Sequence, residues 1–257
     1  MSKLIVVRNL SKYYLAATGD VVHALEDISF DVDEGEFVTV VGPSGCGKTT
    51  LMLILGGLLQ KTRGAVLLRD SPVDGPRRDI GIVFQNSVLL PWRTILQNTL
   101  LTAEILALDR RQARDRAMAL IELVGLSGFE RKYPKELSGG MQQRAAITRA
   151  LLHDPAILLM DEPFGALDAM TREQMNLELL RIWQQSRKTI FFITHSIPEA
   201  VFLADRVVVL RPRPGAIARI IDVPLPRPRA LKLMSSEEFG EITQTVRDLF
   251  LVRGALD

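Results

Sequence analysis

Three stretches of the chain are almost wholly apolar, with no alternation: Phe37 to Val41, Ile157 to Met160 and Thr189 to Thr194. Runs rich in Val, Ile, Leu and Phe that lack a polar face predict parallel strands buried on both sides. They end at Gly42, Asp161 and His195 respectively. Ligands of open parallel sheets gather at the carboxyl ends of the strands, so these three ends are expected to converge on one site. Elsewhere the texture changes. From Gln97 to Gly125 the sequence is rich in Ala, Leu and Arg at helical spacing, and Gly125, Gly128 and Pro134 break it up. This predicts an inserted helical lobe over about residues 86–154. Leu4 to Val32 and Ala65 to Leu68 predict short strands of a partly antiparallel sheet. Pro224 to Arg229, Pro-Leu-Pro-Arg-Pro-Arg, reads as extended. Ser235 is then expected to open a last helix, with Glu238 placed for a capping box. The apolar positions Ile242, Val246, Leu249 and Phe250 make one stripe, expected to pack on the body.

At 257 residues, the chain can form one large domain or a core with an appended lobe. The formal charge is only +2, and acids and bases are interleaved. That leaves no basic face for nucleic acid. Arg211 to Arg229 is the one local excess of positive charge; it reads as a solvated turn and extended edge segment, with a phosphate-binding surface as the alternative. A single cysteine, Cys46, excludes an internal disulfide and fits a reducing cytoplasm. The chain runs straight into strand-like sequence at Leu4 to Val7, without the apolar stretch of a signal peptide. A membrane span needs about 20 apolar residues, and the longest candidate, Leu51 to Leu59, is far shorter. If the protein acts at a membrane, other chains do the spanning.

Gly42-Pro43-Ser44-Gly45-Cys46-Gly47-Lys48-Thr49 fits the pattern G-x-x-x-x-G-K-[ST], directly after a predicted strand and before an apolar helix. Glycines let the backbone wrap phosphates so that successive N–H groups point inward, and the helix start adds partial positive charge. Lys48 is expected to neutralise β- and γ-phosphates, and the Thr49 hydroxyl to coordinate Mg²⁺. Cys46 fills a free position of the pattern. The second element is Ile157-Leu158-Leu159-Met160-Asp161-Glu162. Asp161 emerges where it can hold Mg²⁺, and Glu162 where a carboxylate can polarise an attacking water. A buried strand ending in two acids is otherwise hard to justify, because unpaired buried charge is costly.

Leu137-Ser138-Gly139-Gly140-Met141-Gln142-Gln143-Arg144 adds a second anion site. Ser138 can cap the helix that follows, and the glycines expose N–H groups at its positive end. This stretch resembles the signature sequence of ABC-type ATPases, and the resemblance runs from Leu4 to about Arg229. It implies an α/β fold: a P-loop NTPase core, mostly parallel sheet flanked by helices, with an N-terminal antiparallel β-subdomain and an inserted α-helical subdomain. The domain spans residues 4–229, followed by a C-terminal helical tail, 230–257, packed on the core. It also implies that ATP, with Mg²⁺, is bound by residues 42–50, including Thr50, and by Ser138, Gly139 and Gly140 of a second copy in a two-fold dimer. Gln85 resembles the Q-loop glutamine, a Mg²⁺ contact, and Phe164-Gly165-Ala166-Leu167-Asp168 the loop that crosses the dimer interface. His195 resembles the switch histidine that contacts the γ-phosphate, a satisfied core histidine being the plain alternative. Tyr14 is placed like the aromatic that stacks on adenine; Tyr13 is its rival, and simple packing remains open.

Two positions depart from the commonest family pattern. Met141 stands where Gln is frequent, and Ser196 follows the switch histidine where Asp is usual, which puts the local hydrogen bonding in question. Leu89-Leu90-Pro91-Trp92-Arg93-Thr94 is similar to the nitrate/sulfonate/taurine branch of bacterial importers, as are Glu199 to Arg206 and the Pro-Arg tail. In that branch the chain would sit peripherally on the cytoplasmic face of the membrane. Its partners would be two transmembrane permease subunits and, indirectly, a periplasmic solute-binding protein. Trp92 suits a permease interface, with core packing as the alternative. The competing functions are the ATPase of a lipid or efflux transporter, and a soluble ATPase outside transport.

Overall fold

A computed structural model describes residues 2–15, 19–212 and 214–254, with side chains described through residue 250. The chain forms two compact units, Met1–Arg77 with Thr189–Asp257, and Arg78–Lys188.

The first unit opens with two long antiparallel strands, β1 (Lys3–Leu15) and β2 (Val21–Asp33). They are longer than the short strands expected from the pattern, for a physical reason. Register shifts lie between Val7 and Leu10 of β1. Asn9 and Asp27, both at positive φ, face each other there, with Asn9 Nδ2 donating to Asp27 Oδ1 at 2.6 Å. Bulges of this kind interrupt the two-residue period without ending the pairing. The chain continues through β3 (Phe37–Val41), α1 (Lys48–Leu55), β4 (Arg63–Leu68) and β5 (Ser71–Pro72), and the antiparallel sheet has the order β2-β1-β4-β5.

In the second unit, β6 (Ile80–Val83) is followed by α2 (Ile95–Ile105), α3 (Arg110–Leu123), a 3-10 turn at Pro134–Glu136 and α4 (Gly139–Leu151). Then come β7 (Ile157–Asp161) and α5 (Ala169–Ser186). β6 pairs with β7 in parallel, and β6 stops one residue short of Phe84. The helical stretch expected from Gln97 to Gly125 is two helices. Thr94 caps α2 in a reciprocal box with Gln97, and the Asp109 side chain caps α3. Ala103, Ala113 and Ala117, small residues that let helices approach closely, form their buried contact together with Leu152. α5 stands outside the sequence expectations, although Met175, Leu179 and Trp183 recur at helical spacing on its buried face.

The chain returns to the first unit through β8 (Thr189–Ile193), α6 (Ile197–Leu203), β9 (Arg206–Arg211), β10 (Ala216–Asp222), a 3-10 turn at Leu231–Ser235 and α7 (Glu237–Gly254). β3 pairs in parallel with β8 on one side and β9 on the other, and β10 joins β9 antiparallel. Every residue of β3 and β8 is buried, as the unbroken apolar runs require. The α/β architecture that the resemblance implies is present.

Two expectations need correction, and one alternative left open for Trp92 is removed. α7 is capped by Ser236, not Ser235: Phe239 N–H donates to Ser236 Oγ at 3.3 Å, and Ser235 belongs to the preceding turn. The Arg211 to Arg229 run is not uniformly solvated. Arg229 is buried, and Arg227 is drawn onto Asp205 at 2.8 Å; Arg213 lies outside the described residues. Trp92 is not a core residue, being 70% exposed. Among the described residues no helix is long and apolar enough to cross a membrane.

Candidate functional site

In the first unit, the register Val40↔Ile193 brings the end of β3 and the end of β8 level. Thr194 N–H donates to Val40 O at 3.2 Å. Gly42 and His195 therefore leave the same end of the same strand pair. The loop from Gly42 to Gly47 turns sharply, with φ of 78° at Gly45 and 91° at Gly47, conformations that glycine adopts without a side-chain penalty. At Gly42 a Cβ would lie 2.5 Å from Cys46 Sγ and 2.9 Å from Leu210 O; at Gly47 it would meet Leu25 Cδ2 at 2.6 Å. Pro43, Ser44 and Gly45 form the outer rim, with Ser44 and Gly45 exposed.

Lys48 is buried, and its Nζ donates to Gly42 O at 2.8 Å and Pro43 O at 3.2 Å. An ammonium has three donors, so the charge sits at the mouth of the loop with a further N–H to offer an anion. α1 begins without a side-chain cap. Its first N–H groups are the kind that bind phosphate at a helix start. Thr49 is exposed and Thr50 half-buried in that first turn. Cys46 is fully buried; burial pushes its thiol up, and the Lys48 charge opposes this.

Of the two tyrosines on β1, Tyr13 packs against His23 at 4.3 Å between ring centroids, with the Arg63 guanidinium over its face. Tyr14 is 40% exposed, with Lys12 Nζ 4.9 Å from its ring centre. Tyr14 is the ring with a surface left to stack on a ligand.

In the second unit the register Val83↔Met160 sets Gln85 and Asp161 at the same strand ends. Asp161 is buried, and Glu162 turns the chain at φ 43°. A Cβ on Gly165 would lie 3.3 Å from Glu162 O and 3.7 Å from Gln85 Nε2, so these three residues meet. Asp168 caps α5 through Thr171, accepting from its N–H at 3.0 Å and its hydroxyl at 2.7 Å. The Thr171 hydroxyl and then its N–H hold the Asp168 carboxyl below the usual aspartate range. Ser138 and Gly139 are exposed at the start of α4, where Ser138 Oγ accepts from Met141 N–H at 3.3 Å. Cβ atoms added at Gly139 and Gly140 would lie 3.7 Å from Leu167 Cδ2 and 3.3 Å from Thr171 Cγ2. The signature turn thus sits against the loop that ends at Asp168.

Several residues that shape these elements were not evident from motifs. Gln143 Nε2 donates to Phe84 O at 3.1 Å, and Arg149 donates to Ser87 O and Val88 O at 2.9 and 2.7 Å. The helix that starts at Ser138 therefore also carries the loop that starts at Gln85. Asn98, fully buried, accepts from Leu90 N–H at 2.7 Å and donates to Leu90 O and Arg93 O, which shapes the turn bearing Trp92. Arg93 pairs with Glu104 at 2.6 Å. Gly215 lies against the phosphate loop, where a Cβ would come within 2.2 Å of Cys46 O. Its only sequence signal is Pro214 beside it, a turn dipeptide.

The residues suit a magnesium-nucleotide. Thr49 in the first unit, and Gln85 and Asp161 in the second, each carry an oxygen of the kind Mg²⁺ takes. Few protein ligands plus substrate phosphates is how Mg²⁺ is usually held.

A family model described as ABC transporter matches residues 25–165. An uncharacterised ABC transporter ATP-binding protein of Methanocaldococcus jannaschii is 53% identical over 223 residues, covering 87% of this chain and 83% of the relative. An aliphatic sulfonates import ATP-binding protein of Bacillus cereus is 44% identical over 250 residues, 97% of each chain. Among solved structures, a dimeric ATP-binding cassette in a post-hydrolysis state with ADP and Pi matches with a TM-score of 0.75 at 32% identity. That match covers 86% of this chain and all of the other.

Proposed function

The chain belongs to the ABC transporter family, whose ATP-binding subunits hydrolyse ATP, and from that premise we propose that it powers import of a small polar solute such as a sulfonate, taurine or nitrate. Two copies close on two ATP molecules. Lys48 and the loop from Gly42 to Thr50 hold the phosphates of one nucleotide, Tyr14 stacks on its adenine, and Ser138, Gly139 and Gly140 of the second copy close over it. Glu162 polarises the attacking water, and His195 contacts the γ-phosphate. Thr49, Asp161 and Gln85 would hold magnesium, which when bound neutralises charge on the phosphates. Asp168 lies in the loop facing the second copy. Closure follows because ATP binds the closed dimer better than the open chains.

Import through two permease subunits, fed by a periplasmic solute-binding protein on the far side of the membrane, rests on one observation. Trp92 is 70% exposed on a turn that Asn98 shapes from within, so it is presented outward by design of the loop. Aromatic anchors of this type are worth about 2 kcal/mol or more at protein interfaces. The identity with a sulfonate importer's ATP-binding protein supports the solute class. The test is Trp92→Ala in the assembled complex. Recovery of the permease by pull-down and solute uptake should fall while the isolated subunit's ATPase is unchanged. Normal uptake with full permease recovery would refute the docking role.

A further inference from the structure

The Pro-Leu-Pro-Arg-Pro-Arg run ends at Arg229, which is 5% exposed. Its guanidinium donates to Val201 O, Phe202 O and Ala204 O at 3.2, 2.8 and 2.8 Å. It also donates to Val223 O and Leu225 O at 3.4 and 3.2 Å. Burial, then the neighbouring Arg227 charge, pulls its pKa down to about 10, with Asp205 opposing. A buried cation is a poor way to gain stability, since an apolar side chain of like volume serves as well or better. What a cation supplies here is an end for α6. The last carbonyls of a helix lack partners within it and carry its negative pole, and Arg229 satisfies both needs.

α6 is only seven residues long, Ile197–Leu203, and a helix this short does not hold itself. Its other end begins directly after His195. There, Ser196 N–H donates to Thr194 Oγ1 at 3.0 Å, the Thr194 hydroxyl donates to the Glu199 carboxylate, and Glu199 N–H donates to Ser196 Oγ at 3.4 Å. These three bonds join the residues on either side of His195 into a ring, which Ser196 and Glu199 anchor to the first turn of α6. The Ser196 hydroxyl, which caps α6, supplies one of its three links. Thr39 Oγ1 adds one tie from β3, to Ala200 O at 3.3 Å.

We infer that Arg229 is a positioning residue for His195: by clamping the far end of α6, the C-terminal segment sets the tilt of the short helix and, through the Thr194–Ser196–Glu199 ring, the direction in which the histidine points. The inference rests on the reading that His195 meets the γ-phosphate. It gives the Pro-Arg tail a part in hydrolysis, beyond packing.

The chain's three histidines, His23, His153 and His195, make the test direct. Imidazole NMR signals of the full-length protein would be followed in Arg229→Lys, which keeps the charge but loses the planar fork, in Arg229→Met, and in Glu199→Gln. The expected result is a shifted or broadened His195 signal, with His23 and His153 unmoved as internal controls. Turnover at saturating MgATP should fall by about ten-fold or more, as misplacement near 1 Å does, while KM stays within about two-fold. If Arg229→Met fails to fold, Arg229→Lys decides. A wild-type His195 signal and wild-type turnover in folded Arg229→Lys overturn the inference. So does movement of all three histidine signals, which would mark a general loss of structure. Unchanged turnover in His195→Ala would instead sink the reading of His195 itself, and the NMR arm would still report on positioning.

Discussion

Replacing Gly215 by alanine adds one methyl group, at a position far along the chain from the phosphate loop it touches. Built on the existing backbone, the new Cβ would lie 2.2 Å from Cys46 O, 3.1 Å from Cys46 C and 2.7 Å from Ala24 O. Carbon and carbonyl oxygen settle at about 3.3 to 3.6 Å, and all three atoms are backbone, so no rotamer change relieves the clash. Either the turn at Gly215 or the Cys46 peptide must move by about 1 Å. That peptide lies between Gly45 and Gly47, whose N–H groups face the phosphates in the proposed site. Overpacking of this size costs about 1–3 kcal/mol, and at about 2–4 °C per kcal/mol for a chain this long the melting temperature falls by several degrees. Displacement of the cradle by about 1 Å should weaken nucleotide binding by about ten- to a hundred-fold. A titration with a fluorescent ATP analogue measures the second effect and a thermal melt the first. Gly240→Ala is the matched control. Nothing lies within 4 Å of its added Cβ, it sits in α7, and alanine there should raise stability by about 1 kcal/mol. Wild-type affinity in Gly215→Ala would refute the claim that this turn holds the phosphate loop.

Two further outcomes are expected. Glu162→Gln should keep ATP binding and lose hydrolysis, accumulating ATP-bound dimers; unaltered turnover in the assembled transporter would remove Glu162 from the chemistry. Cys46, fully buried and with its thiol pushed up by burial, should react with an aromatic disulfide reagent far more slowly than a free thiol, and more slowly still with MgATP present. As the single cysteine it gives a clean readout, and rapid labelling that ignores nucleotide would contradict its burial within the phosphate loop.

The phosphate loop, the acidic strand end and the signature turn were legible because each is written in consecutive residues. Glycines at fixed offsets specify a backbone path, and a lysine or acid beside them specifies the charge. The buried parallel strands were legible because β3 and β8 have neighbours on both faces and so have no polar side. What could not be read depends on partners distant along the chain. Gly215 matters through its contact with Cys46. Arg229 lies in a run that looks solvated by composition, and only the fold slides the α6 carbonyls over it. The length of β1 and β2 was hidden by the Asn9–Asp27 bulge, which shifts the alternation midway. Ser196 shows the reverse: its difference from the usual aspartate is plain in the sequence, but its role as the cap of α6 is set by the fold.

The central claim is that one nucleotide is shared between Lys48 of one copy and Ser138 of the other. It can be tested by light scattering on two variants mixed with MgATP, both carrying Glu162→Gln, one also Lys48→Ala and the other Ser138→Arg. Each alone should remain at the 28.6 kDa of a single chain. The mixture should form a species of twice that mass, because it restores one complete site from the intact loop of one chain and the intact signature of the other. A mixture that stays monomeric while the Glu162→Gln protein dimerises would contradict the account.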